Sequence, residues 1–147
     1  MNPSRTIPAS GPIDNPTLTL RIDGEDVGPT IGIMTVTVHK ECNRIPFARV
    51  IFRDGVPDER GFSLSSGDSF TPGKELEVLA GYASNEDVIF KGKITKHCIS
   101  ITGSGSFLEI EAKDAAVAMT LVPKDRFFRE ETDAGAWETI IGEYDGL

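Results

Sequence analysis

The histidines and cysteines of this chain, the residue types that zinc favours, are His39, Cys42, His97 and Cys98. His39 and Cys42 form one His-x-x-Cys pair, and tetrahedral zinc takes three or four protein ligands, so His97 and Cys98 would have to arrive beside them from a neighbouring strand. No Asp, Glu or further Cys stands at a recognisable ligand spacing around either pair, and the expectation is no metal. Two cysteines so far apart do not make a disulfide framework, so Cys42 and Cys98 read as reduced thiols. The turn Gly103-Ser-Gly-Ser106 has the composition of a phosphate cradle. Phosphate loops lead from a strand into a helix N-terminus, however, and this one leads into a second strand, so it reads as a hairpin.

Nucleophilic catalysis finds no support either. There is no Gly-x-Ser-x-Gly elbow, and a Ser or Cys nucleophile would have only His39 or His97 as its base. The acidic residues are scattered through turns and the outward sides of strands, which does not define a carboxylate pair for acid and base work. The expectation is a protein without catalytic residues and without a cofactor.

Composition sets the frame for these negatives. The 147 residues suit one domain, and 39% hydrophobic with 26% charged residues is ordinary globular composition. Against 15 Lys and Arg stand 23 Asp and Glu, a net charge of -8 that opposes binding to nucleic acid or to anionic lipid. No apolar run approaches the roughly 18 residues of a membrane span, and Met1 to Gly11 has no signal-peptide core, so the expectation is a soluble protein made in the cytoplasm.

The elements follow from periodicity. Residues 1–16, with Pro3, Pro8, Pro12 and Pro16, read as a flexible Pro-rich arm. Alternation of apolar and polar residues predicts strands over Thr17–Ile22, Ile31–Lys40, Phe47–Arg53, Glu75–Tyr82, Asp87–Ile101 and Phe107–Lys113, with a bend or bulge near Gly92 in the longest of them. On the second strand Met34, Val36 and Val38 are expected to share a face with one another. Val50, Phe52, Leu76, Val78, Phe90, Ile94, Leu108 and Ile110 are expected to form the core. Gly55 to Gly73 reads as a long contact loop. Asp114 is placed to cap a short helix ended by Pro123, and Thr132-Asp133 to cap a second one carrying Trp137, Ile140, Ile141 and Tyr144, with Gly146 as its stop. The fold class expected is mainly β, an antiparallel barrel of about six strands over residues 17–122, followed by an extension over residues 123–147.

Several stretches taken in order resemble a known family. Phe70-Thr-Pro-Gly-Lys74-Glu-Leu-Glu-Val78, Gly81-Tyr82 and Val88-Ile-Phe90-Lys-Gly92-Lys-Ile94-Thr95 look like the core of contractile-injection hub proteins. Leu108-Glu-Ile-Glu-Ala112-Lys-Asp114, Ala118-Met119-Thr120 and Thr132-Asp133 leading to Ile140-Ile141-Gly142-Glu-Tyr144-Asp-Gly146-Leu147 continue the likeness. The chain is thus similar to the N-terminal hub domain of Vgr spike proteins of type VI secretion and of phage-tail-like particles. The resemblance implies a structural protein that joins a tail tube to a spike. It implies a homotrimer in the assembled particle, with tail tube protein and spike or baseplate proteins as partners, and neither nucleic acid nor, at rest, a membrane. It also implies assembly in the cytoplasm, within a particle that can be released or secreted. The interface residues expected on that reading are Asp58, Glu59 and Arg60 in the loop and Trp137, Ile141 and Tyr144 on the last helix. The alternative is a free-standing β-barrel module that binds a ligand or a partner.

Overall fold

The computed structural model describes residues 15–55, 61–82 and 85–144. Seven strands form one antiparallel sheet: β1 (Pro16–Ile22), β2 (Glu25–Asp26), β3 (Ile33–His39), β4 (Phe47–Arg53), β5 (Glu75–Tyr82), β6 (Asn85–Thr102) and β7 (Gly105–Lys113). Their spatial order is β2-β1-β5-β6-β7-β4-β3. A 3-10 helix (Ala115–Thr120) and one α-helix, α1 (Asp133–Ile141), follow the sheet.

The mainly β class stands, but the barrel is corrected. The two end strands, β2 and β3, pair with β1 and β4 respectively and not with each other, so the sheet is open. With two residues, β2 presents too little backbone to carry a closing ladder. It exists because Asp23 and Gly24 both take positive φ (51° and 83°), the two-residue hairpin turn that pairs Ile22 with Glu25.

The sheet wraps around one apolar cluster. Val50, Phe52, Leu76, Val78, Phe90, Ile94, Leu108 and Ile110 are all buried there, as alternation predicts, and Leu20, Ile22, Ala48 and Ala112 join them. Phe70 belongs to the same cluster, its ring 4.7 Å from that of Phe52. The interior is therefore filled by side chains.

Two bulges shape β6. Val78 pairs with Phe90 and Leu79 with Val88, which leaves Ile89 over. Ile94 pairs with Ala112 and Lys96 with Glu111, which leaves Thr95 over. Because paired residues share a face, the extra residue at Thr95 moves the core side from Phe90, Gly92 and Ile94 to His97 and Ile99, the partners of Ile110 and Leu108. The bend expected at Gly92 is thus displaced to positions on either side of it. Gly92 has another role: a Cβ there would stand 2.3 Å from the Lys113 carbonyl oxygen and 2.8 Å from the Phe90 ring. A third bulge, at Met34, breaks the face expected for β3. Ile33 pairs with Phe52 and Thr35 with Ile51, so Met34 turns outward while Val36 and Val38 pack against the core.

The loop after β4 is tied to the core where it is described. Asp54 is buried, and its carboxylate accepts from the backbone amides of Leu64 (3.1 Å) and Ser65 (2.9 Å). Burial alone would push this carboxyl up, but hydrogen bonds from Ser65 and from the Leu64, Ser65 and Gly55 amides outweigh it and hold it below the ordinary aspartate range. Asp54→Ala leaves two amides without their acceptor and should cost about 1–3 kcal/mol in urea unfolding at neutral pH. The sign with pH follows from the lowered folded value. The contribution of Asp54 is complete above the ordinary aspartate range and is lost as pH falls through that range to the folded value. The wild type and Asp54→Ala should therefore converge in stability as acid is added.

Candidate interaction surface

The residues that could have made a metal site do not meet. His97 pairs with Ile110, which lies beside Val50 and then Val36, so His39 is three strands across and three residues further on. That is roughly 14 Å of sheet at about 4.8 Å per strand. His39 instead stacks on Phe47 with centroids 5.2 Å apart and has Nε2 3.3 Å from Glu41. Cys42 and Cys98 are free and exposed. Among the described residues no group of three or more His, Cys, Asp or Glu could hold a metal ion. Gly103 and Ser104 form the β6–β7 hairpin connection, closed by the Thr102–Gly105 pair.

The solvent face of the sheet is a ladder of opposite charges. Lys91 lies between Glu75 (2.8 Å) and Glu77 (3.0 Å), Lys96 meets Glu109 (2.9 Å), and Arg49 reaches Glu109 (3.5 Å) and Glu111 (3.1 Å). The hydrogen bond from Lys96 holds the Glu109 carboxyl below its ordinary value against the opposing effect of burial. Such half-exposed pairs fix strand register but leave little free charge to draw a ligand.

The C-terminal segment differs. Asp114 caps the 3-10 helix, its carboxylate accepting from the Ala116 amide at 3.0 Å, and the chain then runs without regular structure to Thr132. Thr132 caps α1, its hydroxyl accepting from the Gly135 amide at 3.2 Å. The helix ends at Ile141, with Gly142 as its cap; Gly146 lies outside the described residues. No residue of α1 is buried. Of its apolar stripe, Ile140 and Tyr144 are half-buried while Trp137 (61%) and Ile141 (40%) face solvent. Leu121, Val122 and Phe127 are exposed in the preceding segment, Phe127 at 97%. Scattered apolar residues are normal on a surface, but three large ones in seven residues, followed by two more on one helix, concentrate exposed apolar area in this segment, as interfaces do.

Between α1 and the preceding segment lies a cleft of about 610 Å³, with Met119, Val122, Phe128, Ile140 and Tyr144 among its walls. Glu143 is part of its wall, bonded to Lys124 Nζ at 3.0 Å and paired with Arg126. The Lys124 ammonium also sits 4.6 Å above the Tyr144 ring, and the Arg126 guanidinium 5.9 Å from that of Phe128. Lys124 first, and Arg126 after it, hold the Glu143 carboxyl below its ordinary value.

Of the expected interface residues, the structure thus exposes Trp137 and Ile141 and turns Tyr144 toward Lys124. Asp58, Glu59 and Arg60 lie outside the described residues. Alternation did not point to the Glu143 cluster, because Lys124 and Arg126 belong to a stretch with no period.

A family model described as the Alg8 N-terminal domain matches residues 12–146. The chain belongs to that family. No curated protein matches it. Membership in the Alg8 N-terminal domain family overturns the likeness to Vgr hubs and with it the tube-to-spike function, because this is a glycosyltransferase family and not a family of injection-particle hubs. Assembly within an injection particle is corrected for the same reason, since Alg8-type domains belong to membrane-associated glycosyltransferases. Among the described residues no helix is long and apolar enough to cross a membrane. The stretches that suggested a hub, from Phe70 to Thr95 and from Leu108 onward, consist largely of strand alternation and turn residues, a pattern that antiparallel sheets of many families share.

Proposed function

We propose that this domain is a non-catalytic accessory module of a glycosyltransferase, and that it acts by docking on the transferase portion through the apolar surface around Leu121, Val122, Phe127, Trp137 and Ile141. The observation that carries this reading is the match to the Alg8 N-terminal domain along nearly the whole chain. The distribution of surface chemistry supports it: several charges on the sheet are matched in cross-strand pairs, while Leu121, Val122, Phe127, Trp137 and Ile141 expose apolar side chains close together in sequence in the C-terminal segment.

The test pairs the purified domain with a glycosyltransferase of the family from which this domain has been deleted. The wild-type domain should bind it, and Phe127→Ser with Trp137→Ser should weaken binding by about 30-fold or more, as loss of an aromatic anchor does. The domain alone should transfer no labelled sugar. Transfer by the domain alone, or unaltered binding by the double variant, would refute the proposal.

A further inference from the structure

We propose that α1 is a latch that opens independently of the sheet, and that Glu143 is the clasp that holds it shut. With nine residues, α1 is shorter than the roughly 12–15 that sustain an isolated helix in water, and it buries none of them. Its helicity therefore depends on what it touches. Those contacts are Ile140 and Tyr144 at the cleft, Lys124 above the Tyr144 ring, and Glu143 between Lys124 and Arg126.

The position of Glu143 makes it a clasp and not a helix-stabilising residue. It lies just past the Gly142 cap, at the end of the helix where the partial charge is negative, and no basic residue stands in the last turn. A carboxylate there disfavours the helix by itself. Removing its charge should tighten an isolated α1, whereas removing it from a clasp should loosen α1. The two readings predict opposite signs. The pairs are half-exposed, so salt screens them, and opening uncovers Met119, Phe128, Ile140 and Tyr144 beside Leu121, Val122 and Phe127, which are exposed already.

Amide hydrogen exchange by mass spectrometry on the full chain decides between them. In the wild type, α1 should exchange faster than β4 and β7, the sign of local opening. In Glu143→Gln it should exchange about fivefold faster still, the factor two half-exposed ion pairs supply together, with β4 and β7 unchanged. The proposal fails if Glu143→Gln slows exchange in α1 or leaves it unaltered. It also fails if β4 and β7 accelerate equally. Because the readout is internal to the domain, it stands or falls separately from docking on a transferase.

Discussion

Phe52→Ala should lower the free energy of unfolding by about 3–5 kcal/mol, a large part of what a domain of this size has. The side chain is fully buried near the C-terminal end of β4, flanked by Ile33 and Leu108 on the two neighbouring strands. It is also the contact through which the loop residue Phe70 joins the sheet, at 4.7 Å between rings. Truncation would remove a ring from a region held on three sides by strand backbone, so collapse of the cavity would be partial. Urea unfolding followed by circular dichroism measures the loss. A cost below about 1 kcal/mol would show that the core is not organised around Phe52.

The second large effect is expected from adding one carbon. Gly92→Ala would place a Cβ 2.3 Å from the Lys113 carbonyl oxygen and 2.7 Å from its carbonyl carbon, atoms of a strand held by its own ladder. The Phe90 ring, 2.8 Å away, is itself buried and has no free direction in which to swing. The cost should reach about 3 kcal/mol, the upper end of ordinary overpacking. Gly103→Ala is the control: nothing lies within 4 Å of its Cβ position, so the melting temperature should barely change. Equal behaviour of the two variants would contradict the close approach of β7 to Gly92.

The strands and the eight expected core residues were legible because burial of one face forces a period of two, and a period survives in sequence. Other features have no period. Phe70 stands alone among Ser, Gly and Asp, and only the Asp54 hydrogen bonds to Leu64 and Ser65 explain why its loop turns inward. Strand β2 is too short to alternate. Whether the sheet closes depends on how its end strands pair, which no single strand records. Bulges at Met34, Ile89 and Thr95 each add one residue, and alternation counted straight through Met34 assigns it to the wrong face. At the C-terminus, the apolar residues of α1 were visible from helical spacing, but their partial exposure was not. The Glu143 contacts are long-range pairings of charged residues, a type too common on surfaces to stand out.

The extra residue at Thr95 also gives β6 two different rules for which mutations it can accept. From Phe90 to Ile94 the even-numbered positions face the core and polar replacements there would be rejected; beyond the bulge the odd-numbered positions share that side, with His97 half-buried and Ile99 already 44% exposed. Past the reach of β5, whose pairing ends at Lys93, that same face emerges into solvent, and Ile101 is 70% exposed. Variation along one strand therefore has two regimes: a stretch constrained on even numbers, and a stretch beyond Thr95 where constraint fades from half-buried His97 to exposed Ile101. A lineage that lost or gained one residue near Thr95 would exchange the two sides of everything beyond it, turning Lys96 and Cys98 toward the face that now carries His97 and Ile99.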